Sequence, residues 1–103
     1  MKEKIRKKIL LAPEEPGVYI FKNKGVPIYI GKAKRLSNRL RSYLNPQTEK
    51  VLRIIEEADE LETIVVMNER EAFILEANLI KKYRPKYNVR LKDTNFYPYI
   101  RIS

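Results

Sequence analysis

Seven tyrosines, and neither a cysteine nor a histidine, bound the chemistry open to this chain. Thiolate nucleophiles, disulfides, imidazole bases and ordinary zinc sites are excluded. Any reaction must use carboxylate, phenol, ammonium or guanidinium groups, or a hard cation held by oxygen. Four residues stand out as the material for such a site: Tyr19, Tyr29, Arg39 and Glu76.

The first two lie in short β-branched and aromatic runs, Gly17-Val18-Tyr19-Ile20-Phe21 and Val26-Pro27-Ile28-Tyr29-Ile30-Gly31, separated by the turn-like Lys22-Asn23-Lys24-Gly25. That pattern predicts a β-hairpin. Side chains alternate along strands, so Tyr19 and Phe21 leave one face while Val18 and Ile20 leave the other. Tyr29 shares a face with Pro27 and Gly31, opposite Ile28 and Ile30. A turn that pairs residue 21 with 27 sets Tyr19 directly across from Tyr29. Both hydroxyls then project from one side of the sheet, flanked by Gly17 and Gly31, where bare backbone leaves room for a substrate. Cross-strand tyrosine pairs also serve sheet stability alone, so the pair by itself decides nothing. Pro27 has no N–H to donate and predicts an open edge or a bulge at that position.

Glu76 is placed by helical periodicity. Counted from Ala72 at about 100° per residue, Leu75, Leu79, Ile80, Tyr83 and Phe73 fill an apolar arc from roughly −60° to +100°, with Glu76 at roughly +40°. Glu71, Asn78, Lys81 and Lys82 fall outside it. A carboxylate on a core-facing stripe is costly unless it meets a cation or a metal. A structural pairing with arginine would satisfy it equally well. Arg39 follows Leu36 by three residues and precedes Tyr43 by four, so it borders the apolar stripe of an earlier helix, with Arg35 on the same side.

The elements that must hold these groups follow from periodicity and breakers. Ile5, Ile9 and Leu10-Leu11 predict a short helix over 2–11, which Pro13 and Pro16 end. After the hairpin and the basic run Lys32-Ala33-Lys34-Arg35, Leu36, Leu40 and Leu44 predict a helix near 35–44. Asn45-Pro46 breaks the chain before a second helix, about 48–58, carrying Val51, Leu52, Ile54, Ile55 and Ala58. Leu61 to Met67 reads as a third strand. Asn68 followed by Glu71 resembles a capping box opening a long helix over 69–83, which Pro85 terminates. Lys86 to Ser103 is expected to be mostly extended, with a last strand about Tyr97-Pro98-Tyr99-Ile100-Arg101-Ile102. The ending in strand-like sequence is that of a piece cut from a longer chain.

At 103 residues this is a single domain, and its 44% apolar and 34% charged content suits a folded unit. The net charge of +9, from 22 basic and 13 acidic residues, favours a polyanionic partner such as nucleic acid. Apolar runs are only a few residues long and none can span a bilayer, so no membrane role is expected. The basic N-terminus lacks the pattern of a secretory signal, and the expected location is cytoplasmic. Charge and tyrosines alone would fit a non-catalytic nucleic-acid-binding module or a partner-docking domain; Glu76 on the apolar stripe is what those readings leave unexplained.

Gly17-Val18-Tyr19 followed by Tyr29-Ile30-Gly31 resembles the signature of the GIY-YIG nucleases, with Val18 in place of the usual isoleucine. Arg39 matches that family's helix arginine, Glu76 its single metal-binding glutamate and Asn88 its later asparagine. Tyr29-Ile30-Gly31-Lys32-Ala33-Lys34 and Pro85-Lys86-Tyr87-Asn88-Val89-Arg90-Leu91-Lys92-Asp93 look specifically like the UvrC type, which argues against a free-standing GIY-YIG nuclease with another target. The resemblance covers nearly the whole chain. It implies an α+β fold, a small three-stranded antiparallel sheet flanked by helices, acting as a metal-dependent DNA endonuclease. It also implies the incision 3′ to a lesion in damaged double-stranded DNA, on a UvrB–DNA complex, with a separate C-terminal nuclease domain elsewhere in the UvrC protein. On this reading one Mg²⁺ or Mn²⁺ binds Glu76, and Arg39 clamps the phosphate. Lys32, Lys34, Arg35 and Arg39 contact DNA, and Tyr43 and Asn88 add hydrogen bonds within the site. Tyr29, Tyr19 or a hydroxide on the metal is the base, and Lys32 and Arg39 are the cations expected to stabilise a phenolate.

Overall fold

The computed structural model describes residues 1–89. Its elements are α1 (Glu3–Leu10), β1 (Gly17–Asn23), β2 (Val26–Ala33), α2 (Leu36–Arg41), a 3₁₀ turn (Ser42–Leu44), α3 (Glu49–Glu57), β3 (Glu60–Val65), α4 (Glu69–Tyr83) and α5 (Lys86–Val89). The strand expected over 97–102 lies outside the described residues. The α+β class holds: three antiparallel strands in the order β2-β1-β3, with helices on both faces.

Alternation along β1 divides the core in two. Tyr19 and Phe21 point into the larger half, with Ile5 and Ile9 of α1, Leu36 and Leu40 of α2, Ile54 and Ile55 of α3, and Tyr87 of α5. Val18 and Ile20 point the other way and meet Ile30, Ala72, Leu75, Leu79 and Ile80, so among the described residues α4 is the helix that covers that face. Phe21 is fully buried, and emptying its place would cost on the order of 3–5 kcal/mol. Two helix starts are fixed by side chains: Thr48 Oγ1 accepts from the Val51 N–H at 3.2 Å, and Asn68 Oδ1 from the Glu71 N–H at 2.9 Å.

The hairpin differs in register from the expected pairing. Lys24 and Gly25 form a two-residue tip with φ of 51° and 81°, as a type I′ turn demands, and this pairs Asn23 with Val26. A bulge follows: Lys22 pairs with Pro27, yet Phe21 pairs with Tyr29. Tyr19 therefore lies across from Gly31 and not from Tyr29. The bulge also breaks alternation, so Ile28 joins the core on the tyrosine side. Pro27 lines a recess on the other side with Ile20, Ile64 and Leu79. Pro27 meets both expectations made of it, since β2 is an edge strand and the bulge begins beside it.

The two glycines are not openings for a substrate. A β-carbon at Gly31 would run into the ring and hydroxyl of Tyr19, and one at Gly17 into the Ile64 carbonyl and the Leu36 side chain. Their missing side chains let protein pack against backbone. On α4 the apolar arc is narrower than its wheel: Phe73 is 60% exposed and Tyr83 45%. Leu52 of α3 also faces outward. The helix expected near 35–44 ends as α2 at Arg41 and continues as the 3₁₀ turn, and residues 86–89 form a helical turn where extended chain was expected.

Candidate active site

Tyr19, the deepest of the phenols, is 1% exposed. Its ring fits under Gly31, and its hydroxyl lies 3.0 Å from that of Tyr43, which the 3₁₀ turn delivers from the opposite wall. The Tyr29 ring is tilted against that of Tyr19, 6.4 Å between centroids, and stands nearer the surface. Arg39 reaches this cluster from α2; its charge is held chiefly by the Tyr19 phenol, with Tyr43 and Tyr29 adding to it. Burial, and then the neighbouring Tyr19, push the Tyr43 hydroxyl far above the ordinary phenol range.

The cations do not win at Tyr29. Desolvation raises its pKa, Tyr19 and the negative charge of Glu76 add to the rise, and only Arg39 and a hydrogen bond from Tyr43 oppose them. The phenolate expected from Lys32 and Arg39 is thus not stabilised by these side chains alone, and Tyr29 carries its proton at neutral pH. Lys32 is exposed on β2, and its charge acts on Glu76.

Glu76 is half-buried on α4. Desolvation raises its pKa above the usual carboxylate value, while the Lys32 charge, the Lys32 backbone and Arg39 pull it back. It forms no salt bridge with either cation among the described residues. The described residues hold no cluster of three or more ligating side chains that could cage a metal. A single carboxylate, with water completing the shell, nonetheless suits a hard cation such as Mg²⁺, which retains much of its hydration. The donor set therefore fits such an ion.

Asn88 is committed to backbone. Its Oδ1 accepts from the Ile30 N–H at 2.8 Å and its Nδ2 donates to the Ile30 carbonyl at 2.9 Å. Those bonds fix β2 between Tyr29 and Gly31. Glu57 of α3 holds α5 in place for this, accepting from the Tyr87 hydroxyl at 2.6 Å and pairing with Lys86 at 2.8 Å. Lys34 and Arg35 are exposed and line a separate recess with Asn38.

A family model of the UvrC-like GIY-YIG domain matches residues 15–89. The chain belongs to that family. It is an endonuclease domain of the GIY-YIG type, with the fold expected of one. The UvrABC system protein C of Thermotoga petrophila is 97% identical over 103 residues, all of this chain, which spans 18% of that relative's length. A crystal structure of the GIY-YIG N-terminal endonuclease domain of UvrC from Thermotoga maritima, bound to its catalytic divalent cation magnesium, is 98% identical and superposes with a TM-score of 0.85. It covers 86% of this chain and 100% of its own. The Y29F point mutant of that domain, also bound to its catalytic divalent cation, is 97% identical with a TM-score of 0.85 over 86% of this chain and 100% of its own.

Among the seven expected site residues, the structure gathers Tyr19, Tyr29, Tyr43 and Arg39 into one cluster, with Glu76 and Lys32 beside it and Asn88 behind it. The sequence reading missed Lys50 and Ser42. With Tyr29, Arg39 and Tyr43 they line a cavity of about 180 Å³, and the Lys50 ammonium stands 5.0 Å from the Tyr29 ring centroid. One signal for Lys50 was available: a lysine in the first turn of a helix opposes the helix dipole and asks for a reason.

Proposed function

We propose that this domain makes the incision 3′ to a lesion in damaged double-stranded DNA within the UvrABC system, acting on a UvrB–DNA complex. A C-terminal nuclease domain of the longer protein would make the other cut, and the cytoplasm is the setting this implies. The observation that carries the reading is Glu76: a half-buried carboxylate, kept without a salt bridge to Lys32 or Arg39, beside a cluster of phenols. Family membership gives that arrangement its chemistry, and the +9 charge suits a polyanionic substrate.

Hydrolysis of a phosphodiester needs a deprotonated water, relief of negative charge in the transition state and a protonated leaving oxygen. Glu76 would hold one divalent cation, Mg²⁺ or equally Mn²⁺ by ligand chemistry. When bound, that ion supplies positive charge to polarise the scissile phosphate and to offset charge on the leaving oxygen. The Y29F relative keeps its cation, which agrees with Glu76 and not the phenol as the ligand.

Arg39 presents a planar fork suited to two phosphate oxygens and lines the same cleft as Tyr29 and Tyr43. Tyr29 is the residue placed to take the proton of the attacking water. The Tyr29 phenol would first release its own proton to solvent; its raised pKa makes that release the demanding step and the phenolate, once formed, a strong base that returns to phenol on taking the water's proton. Tyr43 shares a hydrogen bond with Tyr19, whose ring packs against that of Tyr29, so these two orient the base. Lys32, Lys34 and Arg35, all exposed, would hold the DNA backbone. Asn88 acts at one remove, by fixing the strand that bears Tyr29.

The decisive experiment is a reconstituted UvrABC reaction on lesion-bearing duplex DNA with Glu76→Gln in the full-length protein. Loss of the 3′ cut alone is the expected result. A 3′ cut at the parental rate would end this reading.

A further inference from the structure

Lys50 lies on α3, on the side of Tyr29 where the cavity opens, whereas neither Glu76 nor Lys32 lines that cavity. Tyr29 and Arg39 are thus shared between two charged environments. One contains the carboxylate; the other is a cleft with two cations, Arg39 and Lys50, and three hydroxyls, of Tyr29, Ser42 and Tyr43, above an apolar floor. Two cations and the Tyr29 hydroxyl around a small cleft match a phosphate's oxygens, the Ser42 hydroxyl being given to the Arg39 carbonyl at 2.6 Å and that of Tyr43 shared with Tyr19, and the volume of about 180 Å³ is enough for such a group.

The plain alternative is a surface lysine resting on a ring. Two features weigh against it. Lys50 is half-buried, and as the second residue of α3 it places a cation where the helix dipole disfavours one.

We infer that Lys50 is a DNA-contacting residue of the incision site, and that with Arg39 it seats the phosphate adjoining the scissile one on the cut strand. This rests on the nuclease reading above and extends it. One strand would then lay consecutive phosphates across Tyr29, the scissile one towards Glu76 and its neighbour in the cleft. The Tyr29 ring would be clamped between bound DNA and α3, so substrate binding itself would order the base.

The test uses equilibrium binding of a duplex oligonucleotide to the Glu76→Gln chain, which separates binding from cutting. Affinity is measured across a salt series for that parent and with Lys50→Met or Lys50→Arg added. Methionine keeps the apolar stem over the ring and removes the charge. Lys50→Met is expected to weaken binding roughly fivefold to tenfold and to make the slope of log affinity against log salt shallower by about one ion. Lys50→Arg is expected to restore the parental slope, and the melting temperature should be the same in all three. A parental slope in Lys50→Met overturns the inference, and a lowered melting temperature with that slope assigns Lys50 to packing. Should the Glu76→Gln chain still cut DNA with Mg²⁺, the assignment of the metal to Glu76 is what fails, and the salt slopes still decide the role of Lys50.

Discussion

Asn88 grips Ile30 from outside the sheet, bonding both its N–H and its carbonyl as a neighbouring strand would. One side-chain amide thereby completes the edge of β2 between the phenol of Tyr29 and the bare backbone of Gly31. Aspartate is nearly the same shape but can only accept, so Asn88→Asp sets a carboxylate against the Ile30 carbonyl. The expected loss is about 1–3 kcal/mol. Thermal melting should show a fall of several degrees, and DNA cutting should fall with it while cation binding persists.

The raised pKa of Glu76 makes it a liability to the metal-free fold. Its folded pKa lies above the unfolded one, so the folded state holds the proton more tightly, and stability falls as pH rises from the ordinary carboxylate range through the folded value. At pH above the ordinary carboxylate range, Glu76→Gln is expected to raise the melting temperature, and to lose that advantage as pH falls into that range. Added Mg²⁺ should stabilise the wild type and leave the variant unmoved. A variant that melts earlier than wild type without metal would contradict this account.

For Tyr29 the sign is opposite in its use. The base form of a buried phenol is scarce at neutral pH and grows with pH, since the folded pKa lies above 10. If Tyr29 is the base, single-turnover cutting should rise roughly tenfold per pH unit between pH 7 and 9. Tyr29→Phe should cut far more slowly, with that rise abolished. An unchanged slope in the variant would hand the proton to another group.

Gly31→Ala should break the site from within. The added methyl meets the Tyr19 ring, which has no space to retreat into, being buried against Phe21 and Tyr43. A cost of about 1–3 kcal/mol is expected, together with loss of cutting, because displaced Tyr19 gives up its bond to Tyr43. Near-normal stability and cutting would show that the ring moves freely.

Local signals in the sequence read well here. The long helix over 69–83 and its asparagine cap, the hairpin, and a partly buried Glu76 within the apolar arc all follow from period and chemistry. What failed was whatever depends on contact. Wheel angles cannot say how wide a strip the sheet covers, so Phe73 and Tyr83 were drawn inward although three strands leave them exposed. Burial overrode nearby cations at Tyr29, and nothing in the order of residues gives the depth of a ring. Glycines beside a signature motif suggested room for a substrate, but Tyr19 and Leu36 fill that room. The pairing of Tyr19 with Gly31 required knowing that the chain turns tightly at Lys24-Gly25 and then takes up an extra residue.

That extra residue sets the parity of the catalytic strand. Counted from the tip without it, Tyr29 would face Ile20 and project towards α4, and Ile30 would enter the cluster of phenols. A single odd step between Pro27 and Tyr29 turns every later side chain of β2 by half a revolution. Which side of the sheet carries the cluster of phenols is therefore written in one residue that pairs with nothing.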